Sequence, residues 1–148
     1  MEKTCQDIMT EQPVCCTPDQ TAQHAAQLMK EQSVGSLPVC EDGNRLAGIV
    51  TDRDITLKVV AEGRDPRNTP IRDVMTTEVF TCGPQDSLED ALQTMRKQQV
   101  RRIPIVDQDR RVVGIIAQAD IATRLRAPDK TAEVVTEISR PSTMVGGA

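Results

Sequence analysis

Residues 48–55 read Gly-Ile-Val-Thr-Asp-Arg-Asp-Ile, and residues 114–121 read Gly-Ile-Ile-Ala-Gln-Ala-Asp-Ile. The two stretches lie 66 positions apart, and at that offset the chain aligns with itself without a gap from Asp7–Ile55 onto Asp73–Ile121. Asp7-Ile8-Met9-Thr10 falls on Asp73-Val74-Met75-Thr76, Pro38 on Pro104, and Asp54-Ile55 on Asp120-Ile121. A gapless register of that length is an internal repeat, and it makes the architecture two copies of one supersecondary unit.

Each copy carries the same signals in the same order. A short apolar piece (Pro13–Cys16; Val79–Cys82) has strand character and runs into a turn-forming proline. Ala22, Ala25, Ala26 and Met29, and in the second copy Leu88, Ala91, Leu92 and Met95, follow i, i+3, i+4, i+7 spacing and predict one apolar helix face each. Ser87, with Asp90 three positions on, suits a helix start. Two β-rich runs then flank a polar reversal, Glu41-Asp42-Gly43-Asn44 or Asp107-Gln108-Asp109-Arg110, before a second helix that should stop near Gly63 or Pro128. The expected unit is β-α-β-β-α, twice, an α+β fold. Expected boundaries are 1–63 for repeat 1, 64–70 for a linker, 71–126 for repeat 2, and 127–148 for a tail that begins as a short helix and ends mobile. A unit of roughly 60 residues buries too little surface to stand alone, so the copies should share a core.

Composition narrows the function classes. Hydrophobic residues make up 38% and charged residues 27% of the 148, a globular balance. Phe80 is the single aromatic, which argues against a base-stacking platform for single-stranded nucleic acid. The net charge of −4 argues against general attraction to phosphate backbones or anionic membranes, so neither nucleic acid nor membrane is expected as a partner. No apolar run has the length of a signal peptide core or a membrane span, and the expected location is cytoplasmic. Five cysteines without CxxC spacing fit neither a secreted disulfide framework nor a zinc ribbon. There is no nucleophile elbow, no phosphate-binding Walker loop and no metal-ligand motif, so an enzyme is not expected, and neither is a metal site.

The paired "DIMT" and "DVMT" openings, the central "VGSLPV" and "VRRIPI", and the Gly-Ile-x-x-x-x-Asp-Ile endings together resemble the CBS-domain pair, or Bateman module, from Asp7 to about Arg126. The linker "VVAEGRDPRNTPIRDVMT" looks like that of stand-alone prokaryotic pairs, and the Cys15 and Cys40 positions are similar to those of the hypoxic response proteins within that group. The resemblance implies a pseudo-twofold module with two clefts between the repeats, homodimer formation, and binding of an adenosine-containing regulatory ligand: AMP, ADP, ATP, NAD or S-adenosylmethionine. It also implies that an unidentified protein partner reads the bound state, and it places the Thr and Asp of Gly-h-h-Thr-x-x-Asp on the ribose and nearby phosphate.

Thr51 and Asp54 carry that role here, and they have a plainer reading. Thr51 as N-cap with Asp54 three residues on is close to a capping box. The same geometry makes a helix N-terminus a phosphate site, with Asp54 able to accept a ribose diol. Both readings stand together, since an empty cleft still uses the cap. In copy two Thr51 becomes Ala117 while Asp120 remains, which removes a hydroxyl bond of about 0.5–1.5 kcal/mol. Copy two also has Arg101-Arg102 where copy one has Gly35-Ser36. By the resemblance one cleft combines Thr51, Asp54, Val79, Arg101 and Arg102, with guanidiniums suited to phosphate. Those arginines have the alternative of pairing with Asp107 and Asp109 at a solvated turn. The other cleft combines Asp120 with Gln12, Val14 and Gly35 and is expected to be weaker.

Cys15 and Cys16 are adjacent in an expected strand and should face opposite ways, with Cys40 beside one of them. As small buried hydrophobes they need no function. The alternatives are a thiolate metal site, which would want a third or fourth ligand, or a redox-sensitive Cys15–Cys40 disulfide, which would make the chain a redox-responsive or structural interaction protein with empty clefts, switching through Cys15, Cys16 and Cys40. His24 is in no ligand spacing with them.

Overall fold

A computed structural model describes residues 3–125, with side chains through Ile121. The expected tail at 127–148 lies outside the described residues. In chain order the elements are α1 (Cys5–Ile8), β1 (Thr10–Glu11), α2 (Ala22–Gln32), β2 (Ser36–Glu41), β3 (Arg45–Thr51), α3 (Asp52–Ile55) running into a π-helical turn (Thr56–Val60), α4 (Leu88–Gln98), β4 (Arg102–Val106), β5 (Val112–Ala117) and α5 (Gln118–Leu125). This is the mixed helix-and-strand architecture of two similar repeats that the sequence predicts. The described residues form two compact units: unit I is Val14–Val79, and unit II is residues 3–13 together with residues 80–125.

Unit I is built on the β2–β3 hairpin, antiparallel from Ser36↔Thr51 to Glu41↔Arg45 with an irregularity between Val39 and Cys40. The reversal sits in the left-handed region at Gly43 (φ 73°) and Asn44 (φ 63°), which is why Gly and Asn occupy it. Helix α2 opens where the Thr21 hydroxyl accepts the His24 N–H at 3.1 Å and closes at Ser33 with φ 56°. Its buried stripe is Ala22, Ala25 and Met29. Ala26, expected in that stripe, is exposed, because its direction falls at the flank of a narrow face. The core of the unit adds Cys16, Val39, Val50, Val59, Ile71 and Val74.

The segment joining the repeats is part of this unit. Thr69 O accepts the Ala22 N–H at 2.8 Å, Gln20 O accepts the Ile71 N–H at 2.7 Å, and Ile49 and Thr76 exchange two backbone bonds of 2.8 Å. Asp65 bonds to both the backbone and the guanidinium of Arg67, and Asp73 pairs with Arg64 at 3.0 Å.

Unit II repeats these contacts 66 residues on. Hairpin β4–β5 pairs Arg102↔Ala117 through Val106↔Val112, and β1 adds to β5 by Thr10↔Ile115 and Glu11↔Gly114. The Thr4–Ser87 bridge is the counterpart of Thr21–Pro70, and Thr10↔Ile115 that of Thr76↔Ile49. The head of copy one thus folds with the end of copy two, while the head of copy two folds with the end of copy one. Helix α4 starts at Ser87, whose hydroxyl accepts the Asp90 N–H at 3.1 Å as expected, and buries Leu88, Ala91, Leu92 and Met95.

The strands expected at Pro13–Cys16 and Val79–Cys82 shrink to one bridging residue each, Cys16 to Val39 and Cys82 to Ile105. Cys16 donates to Pro38 O at 2.9 Å and accepts from Cys40 N at 2.8 Å, after which Thr17-Pro18 turns the chain away. A proline so close leaves no donor with which to extend the ladder.

Candidate functional site

In unit I, β3 delivers Thr51 to the start of α3. The Thr51 hydroxyl accepts the Asp54 N–H at 3.0 Å, and Asp54 Oδ2 accepts the Thr51 N–H at 3.1 Å, a complete capping box. Asp54 is only 8% exposed, so its charge needs partners. Lys58, one turn further on, places Nζ 3.2 Å from Oδ1 and donates to Val74 O at 3.0 Å. The Thr76 hydroxyl lies 3.3 Å from each carboxylate oxygen. Gly35 sits at the same end of the hairpin, where its carbonyl accepts the Asp52 N–H at 2.9 Å. A Cβ on Gly35 would come within 3.0 Å of Asp52 Oδ2. Thr51, Asp54 and Gly35 therefore cluster around one helix start.

The sequence reading missed Lys58 and Thr76. Lys58 had a visible signal, the i, i+4 spacing from Asp54. Thr76 had none, since its place beside Asp54 depends on how the joining segment docks.

In unit II the corresponding end holds Arg101, Arg102, Ala117 and Asp120. Arg101 O accepts the Gln118 N–H at 3.0 Å, Arg102 is paired opposite Ala117, and Asp120 Oδ2 accepts the Ala117 N–H at 2.9 Å. Half of the cap survives the loss of the threonine hydroxyl. Arg101 is exposed and Arg102 half-buried. Asp107, offered in the sequence as an arginine partner, accepts the Asp109 and Arg111 backbone N–H groups at 2.9 Å instead. Val14 and Val79 bound unit I at its two ends; Val14 is exposed and Val79 half-buried. Gln12, exposed with φ 51°, lies in unit II.

A hollow of about 780 Å³ opens at the other end of the unit I hairpin, lined in part by Thr17, Cys40, Glu41, Arg45 and Met75 and by the Arg72–Asp19 ion pair. None of Thr51, Asp54 and Gly35 lines it.

Cys15 and Cys40 come together in unit I. Their thiols share a hydrogen bond that holds the Cys15 pKa below, and the Cys40 pKa above, the ordinary thiol value. Cys16 faces the core and is pushed up to about 11, by burial first and then by Cys15. Cys5 and Cys82 form a comparable thiol pair in unit II. None of the five forms a disulfide, and among the described residues no group of three His, Cys, Asp or Glu is placed to hold a metal ion. No helix among the described residues is long and apolar enough to cross a membrane.

A repeated Gly-h-h-x-x-x-Asp hairpin-to-helix junction, met each time by the head motif of the other copy, is the signature of a tandem CBS module. The family model for the CBS domain matches residues 5–61 and 71–127, and the chain belongs to that family. It is 47% identical over 133 residues to the CBS domain-containing protein YhcV of Bacillus subtilis, covering 90% of this chain and 93% of that one. It is 38% identical over 122 residues to Hypoxic response protein 1 of Mycobacterium tuberculosis, covering 82% and 85%. A crystal structure of Hypoxic Response Protein I with two coordinated zinc ions matches with a TM-score of 0.76 and 37% identity over 82% of this chain and 98% of that one. The CBS domain pair of protein MJ0100, solved with 5-methylthioadenosine and S-adenosyl-L-methionine, matches with a TM-score of 0.74 and 27% identity over 87% and 99%. CBSX2 in complex with AMP matches with a TM-score of 0.73 and 25% identity over 85% and 98%.

Proposed function

We propose that this chain is a regulatory module, not an enzyme, that binds an adenosine-containing ligand through Thr51 and Asp54 and passes the bound state to a protein partner. The carrying observation is Asp54: a nearly buried carboxylate, held in place by a capping box, flanked by the Thr51 and Thr76 hydroxyls. AMP, 5-methylthioadenosine and S-adenosylmethionine, the ligands of the related pairs, share a ribose cis-diol, and a fixed carboxylate is a natural acceptor for a diol. From the sequence pattern we extend the site to Val79 and to Arg101 and Arg102 as phosphate partners, with Asp120 and Val14 serving a second, weaker site that lacks the threonine hydroxyl; Gly35, expected with Asp120, stands at the Thr51 helix start instead. The candidate ligands are AMP, ADP, ATP, NAD and S-adenosylmethionine, and the working form is a cytoplasmic homodimer. For signalling, the ligand must favour one conformation over another.

The test is thermal unfolding of the reduced protein against each of the five ligands, alongside Asp54→Asn and Asp54→Ala. A ligand at a hundred times its dissociation constant stabilises the native state by about 2.7 kcal/mol, a shift of several degrees. A shift with one ligand that is lost in both variants supports the reading. No shift with any ligand, or a shift indifferent to Asp54, overturns it.

The contact between the Cys15 and Cys40 thiols favours a second reading, a redox-responsive protein switching through Cys15, Cys16 and Cys40 without nucleotide. It predicts that stability depends on reductant in nucleotide-free protein and loses that dependence in Cys40→Ser.

A further inference from the structure

We propose that Thr76 is the residue through which ligand occupancy of Asp54 reaches the segment joining the two repeats; this rests on the ribose reading above. A carboxylate offers about four acceptor positions. Three donors already address Asp54: the Thr51 N–H at 3.1 Å on Oδ2, the Lys58 ammonium at 3.2 Å on Oδ1, and the Thr76 hydroxyl at 3.3 Å from both. A cis-diol that donates one O–H to each oxygen needs two positions, so one resident donor must leave.

The three donors are unequal. The Thr51 N–H is fixed by the backbone of the helix start. Lys58 carries the charge that offsets the carboxylate and is anchored a second time on Val74 O at 3.0 Å. The Thr76 hydroxyl is neutral, has one proton for two oxygens, and sits beyond the usual O–H···O separation of about 2.7–2.8 Å. It is the cheapest donor to displace, and it leaves Lys58 in place to keep the buried charge compensated.

The location of Thr76 gives the displacement a consequence. Its backbone exchanges two bonds of 2.8 Å with Ile49, the last regular pairing of the joining segment before unit I ends at Val79 and the chain passes to Phe80. The side chain tie to Asp54 and the backbone tie to Ile49 hold the same residue, so losing the first weakens the second. Copy two lacks this arrangement among the described residues: Asp120 accepts from Ala117 N, and Thr10, the counterpart of Thr76, is not one of its partners. Among the described residues the device is seen in one repeat, the one that kept its Thr51.

Amide hydrogen exchange of the 70–79 segment, with AMP as the probe, tests this in the full chain. Thr76→Val removes the hydroxyl and keeps the branched shape. In ligand-free protein it should speed exchange around Thr76 by about fivefold, the worth of one hydrogen bond. Saturating AMP should speed the wild type similarly and the variant no further. Because the variant no longer breaks a tie on binding, it should bind AMP more tightly by the same factor. If AMP binds through Asp54, as judged by its loss in Asp54→Asn, yet leaves 70–79 exchange unchanged or slowed in the wild type, the proposal is overturned while the ribose reading stands. Unchanged exchange in ligand-free Thr76→Val overturns it too. If the variant speeds exchange but none of the five candidate ligands, each put in the place of AMP, binds either protein, the ribose reading fails and the displacement fails with it.

Discussion

Gly48 backs onto Thr76 so closely that a Cβ built on it would stand 2.6 Å from the Thr76 carbonyl oxygen and 3.2 Å from the Met75 sulfur. That oxygen accepts the Ile49 N–H, so it cannot retreat without breaking the pairing that docks the joining segment. Gly48→Ala should therefore cost about 1–3 kcal/mol, the range for overpacking a tight site. The three atoms nearest a Cβ on Gly114, its counterpart, all belong to the Met9 side chain, whose sulfur and Cγ can rotate away while its Cβ at 3.0 Å needs only a small shift, so Gly114→Ala should cost less. Urea unfolding of both variants checks the order, and equal or inverted costs would remove the close approach as the reason for these glycines.

The two helix starts share the carboxylate half of the cap and differ in the threonine hydroxyl, besides Gln118-Ala119 standing for Asp52-Arg53, and stability should report the hydroxyl. Thr51→Ala removes the acceptor of the Asp54 N–H and should cost about 0.5–2 kcal/mol. Ala117→Thr restores the missing half of the second box, where Asp120 already accepts from residue 117, and should gain up to about 1 kcal/mol. Thermal melts of both variants without ligand decide this. A neutral or destabilising Ala117→Thr would mean that copy two has repacked around its alanine.

What the sequence allowed to be read was whatever lies close along the chain. The Ser87–Asp90 start, the Asp42–Asn44 reversal and the Thr51–Asp54 box each sit within four residues, and local propensity and hydrogen-bonding chemistry determine them. The Met9–Gly114 and Thr76–Asp54 contacts join positions 105 and 22 residues apart, and no periodicity encodes which copy's head meets which copy's end. The same limit explains the strand expected at Pro13–Cys16. Its short apolar run has strand character, but pairing is limited to one bridge, Cys16 to Val39, before Thr17-Pro18 turns the chain away. Lys58 is the instructive omission, because its i, i+4 relation to Asp54 was in plain view and went unread as a buried charge's counterion.

Acid should loosen the linker turn before it unfolds the core. The Arg67 guanidinium and backbone N–H hold the Asp65 carboxyl below its ordinary value of 3.8. A depressed carboxylate contributes stability that is fully present above the unfolded value and is lost as pH falls through the folded one. The stability difference between wild type and Asp65→Asn should therefore be constant from neutrality to about pH 5 and shrink below it. Arg67 is exposed and Asp65 half-buried, so the pair is open to solvent on one side and added salt should reduce the difference. A difference that persists unchanged well below pH 3 would show that Asp65 acts through its backbone turn and not through its charge.

Cys15 and Cys16 are neighbours in sequence and should be opposites in reactivity. Cys15 receives a hydrogen bond from Cys40 that lowers its pKa, while burial in the core pushes Cys16 up to about 11. The thiolate is the reactive form, so iodoacetamide near pH 7.5 should alkylate Cys15 first and leave Cys16 intact in the native protein. Cys40→Val removes the donor at similar volume, so the Cys15 pKa should rise and its labelling slow severalfold. Cys40→Ser keeps a donor and should keep Cys15 fast. Mass spectrometry of timed digests reads all three proteins, and thermal melts confirm that each variant is folded. Equal rates at Cys15 and Cys16, or identical Cys15 rates in the Val and Ser variants, would mean that the Cys40 thiol does not activate its neighbour, and the redox reading of this cluster would lose its nucleophile.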